Sequence, residues 1–162
     1  MKVLNLSLRT ILLTLALIGS TISALAYNMF VDGVYYDING NEATVTYIDY
    51  NSNYGHNYNS KYSGHVTIPE RIYFNGLTYT VVAIGPYAFE NCTNMTSVAI
   101  PNTITAIRNN AFNNCDKLVN ITIPTSVTFI DGSAFYDCDG LTSIVLPDSL
   151  TSIESYAFYS CI

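Results

Sequence analysis

The sequence predicts an α/β solenoid: stacked 23-residue turns, each with a short parallel strand and a short helical or 3₁₀ turn, closed at the N-terminal end by an antiparallel β cap. Three observations predict it. Cys92, Cys115, Cys138 and Cys161 are spaced by 23 residues, and so are Ala88-Phe89, Ala111-Phe112, Ala134-Phe135 and Ala157-Phe158. Within each period apolar residues alternate just ahead of a proline, as in a strand with one buried face. Residues 30–80 depart from the period and instead alternate in short runs separated by turn dipeptides.

The first 26 residues read as a signal peptide. Lys2 and Arg9 give a basic start, Ile11 to Ile18 is an apolar run broken only by Thr14, and Ala24-Leu25-Ala26 has the small-x-small form of a cleavage site. The run is shorter than the roughly 20 apolar residues a membrane-spanning helix needs. Cleavage is expected near Ala26, with the mature chain starting at Tyr27, exported and not inserted in a membrane.

Removing 26 of 162 residues leaves 136, enough for one domain with a real core. Lys61, Arg71, Arg108 and Lys117 remain against all twelve acids, a mature net charge of about −8. A surface this acidic, without a basic stripe, repels phosphate backbones and anionic lipid, which excludes nucleic acid as a partner.

The columns of the unit can be followed one by one. Beside the cysteines and the Ala-Phe pairs, the 23-residue step holds for Met95, Leu118 and Leu141, for Val98, Ile121 and Ile144, and for Ile100, Ile123 and Leu146. It continues through Pro101, Pro124 and Pro147, then Ile104, Val127 and Leu150, then Ile107, Ile130 and Ile153. A unit of this kind cannot bury its own apolar face and must stack on a neighbour. Val98-x-Ile100 and its copies are short strands ended by proline, which has no N–H for the ladder. Ile104 and Ile107 point inward again on the far wall. Phe89, Cys92 and Met95 stand at i, i+3 and i+6, the spacing of one helical or 3₁₀ turn laid against the stack.

These motifs resemble the BspA-type leucine-rich repeat, whose units carry L-x-x-I-x-L-P followed by a later A-F and C. The resemblance rests on residues 141–147 (LTSIVLP) through Ala157-Phe158 and on the two earlier copies, and it covers residues 65–162 and, more loosely, the lead-in from Phe30. It implies a curved solenoid on a bacterial surface or outside the cell, used for adhesion or for host and matrix recognition. No ligand carries over, because the variable positions between the motif residues set it.

Residues 27–64 are expected to form the cap, including a Tyr/Asn/Ser-rich loop, and residues 65–162 the repeats. His65 to Pro69 reads as the strand-proline end of a degenerate first unit, which then carries an inserted hairpin. Asn75-Gly76 between two apolar runs is a hairpin turn, and Asp32-Gly33 separates two others. The cap covers an edge that otherwise invites association. At the other end the sequence stops inside a unit, after Ala157-Phe158-x-x-Cys161. Either a longer repeat protein continues the array, or this end pairs with a partner or with a second copy.

Little in the chain points to catalysis. Cysteines in one ladder have Cβ vectors running parallel, which favours buried free thiols over disulfides, and a line of sulfurs does not make a tetrahedral zinc site. His56 and His65 have no orienting carboxylate nearby in sequence. Asp116, Asp137 and Asp139 read as acids on a solvated loop face. No phosphate-cradling glycine loop, nucleophile elbow or HExxH motif occurs. The expectation is a non-enzymatic protein without a cofactor or bound metal.

Binding surfaces are the better candidates. Outward strand positions place Ser97 with Ala99, Asn120 with Thr122, and Ser143 with Val145 on one nearly uncharged face, suited to a broad contact or merely tolerant of small polar residues. Residues 50–64 read YNSNYGHNYNSKYSG, with Tyr50, Tyr54, Tyr58 and Tyr62 spaced by four. Tyr, Ser, Asn and Gly are the residues of antibody paratopes, and the alternative is a hairpin tip whose tyrosines fold back over the cap. Phe129 stands where the equivalent positions hold Ala106 and Ser152. The chain is thus expected to be a secreted adhesion module for a protein or glycan on host, matrix or neighbouring cells. The alternative is a structural spacer within a longer repeat assembly.

Overall fold

The computed structural model describes residues 29–47 and 62–161. The signal segment, the expected mature start and the loop residues Tyr50, Tyr54, His56 and Tyr58 lie outside the described residues. Two sheets form opposite walls. The larger runs β1 (Met29–Val31), β2 (Val34–Asn39), β3 (Glu42–Thr46), β6 (Leu77–Ile84), β8 (Ala106–Ile107), β10 (Phe129–Ile130) and β11 (Ser152–Ile153), with β5 (Arg71–Phe74) paired to β6. The smaller runs β4 (Ser63–Thr67), β7 (Asn94–Ala99) and β9 (Asn120–Ile121).

The cap begins as an antiparallel meander. Asp32 and Gly33 both take positive φ (48° and 85°) in the β1–β2 turn, and Asn75 and Gly76 (50° and 81°) do so between β5 and β6. Two successive left-handed residues make the turn whose twist matches its strands. The cap is not antiparallel throughout, however. β3 pairs in parallel with the second half of β6, Ala43 opposite Val81 and Val45 opposite Ile84. That half of β6 already belongs to the solenoid wall, where it pairs in parallel with β8, so β3 joins as one more rung. Gly85 follows directly, and a side chain there would meet the Val45 carbonyl oxygen at 2.7 Å. Only glycine lets the cap lie this close to the first turn.

The expected helical turn is absent: among the described residues none is helical. Residues 85–92 form consecutive tight turns, with Ala88 N–H donating to Gly85 O, Glu90 to Tyr87 O and Cys92 to Phe89 O. Tyr87 and Asn91 are left-handed, as are their equivalents Asn110 and Asn114, Ser133 and Asp137, and Tyr156 and Ser160. A left-handed residue every fourth position breaks a helix before it completes a second turn. It also turns alternate N–H groups along the solenoid axis. Tyr87, Phe89 and Asn91 donate to the carbonyls of Asn109, Ala111 and Asn113 at 3.0, 2.8 and 2.9 Å. Asn110, Phe112 and Asn114 donate in the same way to the third turn, and Ser133, Phe135 and Asp137 to the fourth. A helix would consume these donors internally; the turns use them to join rungs.

Phe89, Phe112, Phe135 and Phe158 stack behind this ridge with centroids 5.1, 5.0 and 5.1 Å apart and interplanar angles of 11°, 5° and 4°. Beside them Cys92, Cys115 and Cys138 are buried free thiols, and Cys161 is half-buried. Each later thiol donates to the Phe carbonyl of the preceding turn: Cys115 to Phe89, Cys138 to Phe112 and Cys161 to Phe135, at 3.2, 3.0 and 3.1 Å. The sulfur thus fills core volume and satisfies a carbonyl facing it. Burial pushes the Cys92 thiol up to about 11, so it stays protonated.

Candidate binding surface

The smaller sheet lies on the wall away from β8, β10 and β11, and its outward side chains come from alternate positions. β4 and β7 are parallel, with His65 opposite Ser97 and Thr67 opposite Ala99; β7 and β9 place Ser97 opposite Asn120. Val66 and Val98 point inward from the same strands and are buried. The pairing sets His65, Ser97 and Asn120 in one outward column and Thr67 beside Ala99 in the next. All are exposed except half-buried Ser97. The ladder ends with β9: Thr122, Ser143 and Val145 are exposed and lie outside any strand.

His65 enters this surface as a residue the sequence did not assign to it. Its Nδ1 is 2.7 Å from Ser97 Oγ and its Nε2 is 3.2 Å from Thr67 Oγ1. Both ring nitrogens are engaged by hydroxyls. A catalytic histidine needs a carboxylate or equivalent to orient it, and Thr67 does not supply that charge. Lys117 Nζ donates to Asn94 Oδ1 at 2.9 Å. Val119 and Val145 add exposed apolar area.

The structure separates Tyr62 from the other sequence-selected tyrosines. Tyr62 is 9% exposed and its ring packs on Phe89 at 4.9 Å, one ring spacing ahead of the Phe stack. Its hydroxyl accepts from Tyr35 N–H at 3.2 Å. Burial holds that hydroxyl well above the usual phenol range, an effect the Tyr35 bond reduces. Tyr62 therefore joins cap to solenoid and is not part of an exposed surface. Phe129 is half-buried on the far wall, with the Arg108 guanidinium 5.9 Å from its centroid. Arg108 also lies 3.7 Å from Asp131, the two side chains 47% and 18% exposed, and a partly solvated pair at this distance contributes little. Asp116 and Asp139 are exposed in the loops ahead of the strands, and Asp137 is half-buried on the turn ridge.

Comparison with known families settles what kind of repeat this is. Residues 70–162, more than half of the chain, match the BspA type Leucine rich repeat region in six copies. The chain belongs to the BspA-type leucine-rich-repeat family. Its fold is similar to that of a leucine-rich repeat protein from Bacteroides capillosus, at 28% identity and a TM-score of 0.65, covering 81% of this chain and 89% of that one. A leucine-rich cell surface protein from Faecalibacterium prausnitzii matches at 27% identity and a TM-score of 0.62, over 88% of this chain and 42% of that one. A leucine-rich repeat protein of T. pallidum shares the fold at 22% identity and a TM-score of 0.57, over 83% of this chain and 68% of that one. No protein of curated function matches the chain.

Proposed function

We propose that this BspA-type protein is a secreted or cell-surface recognition module that adheres without catalysis, through the outward face of β4, β7 and β9. One observation supports the reading: the β4–β7–β9 ladder sets His65, Ser97 and Asn120 in one row and Thr67 beside Ala99 in the next, with no Asp, Glu, Lys or Arg among them. Small neutral side chains cost little to desolvate, which suits a broad contact. Export is supported by the signal-like residues 1–26 and by the similarity to a cell surface protein. The ligand class is a protein or glycan on host, matrix or neighbouring cells, engaged without a cofactor and without nucleic acid.

The test is adhesion of purified residues 27–162 to immobilised fibronectin, laminin and collagen, to a glycan array and to whole bacterial cells. Asn120→Arg/Ser143→Arg places two exposed guanidinium groups on the face and is expected to weaken binding at least tenfold at unchanged Tm. Binding that survives this variant but disappears on deleting residues 51–60 would transfer the role to the tyrosine loop. That deletion spares Tyr62, which the core needs. The alternative reading is a structural spacer within a longer repeat assembly. A protein that adheres to none of these targets would leave assembly as the function.

A further inference from the structure

A second surface, on the turn ridge and apart from the sheet face, carries tyrosines that the core does not require. Tyr156 is 65% exposed and Tyr159 54%. Their rings meet edge to face, centroids 5.7 Å apart at 76°, and Tyr159 stacks on Tyr136 at 5.2 Å and 17°. The three rings thus form a fixed right-angled corner backed by a second ring. The equivalents of Tyr159 and Tyr136 in earlier turns are Asn113 and Glu90, so aromatic rings are not a demand of the fold at this column.

Tyr156 also occupies a position that disfavours it. Its φ is 61°; the same left-handed site holds Tyr87 at 59° in the first turn, Asn110 at 54° in the second and Ser133 at 56° in the third. Asparagine enters this region readily and a bulky residue does not. Tyr87 is half-buried at this site, whereas Tyr156 is 65% exposed and presents its ring to solvent.

The chemistry around the corner selects the ligand. Asp131, Asp137, Asp139, Asp148 and Glu154 all lie in residues 131–161, and that stretch contains no Lys or Arg. Sulfated or uronic polysaccharides, phosphates and a second copy of this acidic chain are repelled. Ser133, Ser155, Ser160 and the side chain of Asp137 supply hydroxyl and carboxylate groups on the same turns. A tyrosine face packs against the C–H face of a pyranose, while hydroxyls and a carboxylate bind sugar hydroxyls. We propose that Tyr156, Tyr159 and Tyr136 form a binding platform for a neutral glycan chain, one pyranose lying in the Tyr156–Tyr159 corner.

The experiment is affinity electrophoresis of the full mature chain in gels containing mannan, dextran, laminarin or arabinogalactan, with heparin as the anionic control. Tyr156→Asn removes the ring and installs the residue found at this site in the second turn, one that tolerates positive φ, so its Tm should equal or exceed that of the parent. Tyr159→Ser is the second variant. The proposal expects at least one neutral polysaccharide to retard the parent, and both variants to lose retardation by tenfold or more while remaining folded. It is overturned if no neutral polysaccharide retards the parent, if heparin alone does, or if Tyr156→Asn is retarded as strongly as the parent. It is equally overturned if Tyr156→Asn abolishes binding to immobilised fibronectin while no polysaccharide is bound, since the corner would then be a protein contact.

Discussion

Truncating the central ring of the aromatic stack is the sharpest test of how the turns are held together. Phe112 is 0% exposed and lies between Phe89 at 5.1 Å and Phe135 at 5.0 Å. Phe112→Ala deletes a fully buried ring, a loss of about 3–5 kcal/mol, out of a total of roughly 5–15 kcal/mol for a domain of this kind. Phe158 is half-buried and stacks on Phe135 alone among the described rings, so Phe158→Ala should cost about half as much, ~2 kcal/mol. Phe112→Leu keeps most of the apolar burial but loses both ring contacts, at about 0.5–1.5 kcal/mol each. It should therefore fall between the two alanine variants. The chain contains no tryptophan, so urea unfolding is followed by far-UV circular dichroism, with the slope of each transition checked for two-state behaviour. Equal losses for Phe112→Ala and Phe158→Ala, or a Phe112→Ala cost below about 1 kcal/mol, would refute a continuous stack.

Other consequences follow from single positions. All four cysteines are unbridged and three are buried, so a thiol reagent should modify Cys161 first in the native chain and the other three only in denaturant. Intact mass under non-reducing conditions should show four free thiols. Ser133 has φ 56°; relief of ~1–2 kcal/mol of left-handed cost, less ~0.5–1 kcal/mol of glycine chain entropy, predicts that Ser133→Gly raises Tm by about 2 °C, whereas Ser133→Val lowers it. Burial raises the carboxyl of Asp37 above its ordinary range, partly offset by a hydrogen bond with Thr46, and its Oδ1 is buried without a hydrogen-bond partner among the described residues. A raised folded-state value means that the native chain holds this proton more tightly than the unfolded chain. The favourable protonated state is complete below the unfolded carboxylate range and is lost as pH rises through the folded value. Asp37→Asn should therefore raise Tm at pH 7, with the difference from the parent shrinking toward pH 4.

The repeat core was legible because stacking converts sequence spacing directly into columns. Phe89 to Phe158, the thiols and the Ile107, Ile130 and Ile153 strands all stand where the 23-residue step puts them. The turn ridge was read as helical because i, i+3, i+6 spacing is met equally well by consecutive tight turns. The distinguishing signal was Asn91, Asn114 and Asp137 at one column, residue types that tolerate positive φ. The cap's parallel pairing through β3 depends on a contact between residues 43 and 81 that no local pattern encodes. Of the candidate surface, strand alternation pointed to Ser97, Asn120, Thr122 and Ser143; the sheet pairs Ser97 with Asn120, and Thr122 and Ser143 lie outside any strand. His65 was hidden because the first unit is irregular, so its register with Ser97 follows only from the β4–β7 pairing. Tyr62 looked like its loop neighbours in sequence because its spacing from Tyr58 copies theirs, and only its contact with Phe89 separates it.

The surfaces described above all depend on turns locked rung to rung by their own backbone. Amide hydrogen exchange, resolved by residue, measures that lock directly. Ser133, Phe135 and Asp137 donate to carbonyls of the following turn, whereas Tyr156, Phe158 and Ser160 have no such acceptor among the described residues. The account predicts slow exchange at Tyr87, Phe89 and Asn91, at Asn110, Phe112 and Asn114, and at Ser133, Phe135 and Asp137, with exchange at least a hundredfold faster at Tyr156, Phe158 and Ser160 (about 2.7 kcal/mol of opening free energy). Uniform protection across all four turns, as in helices bonded within themselves, would contradict it.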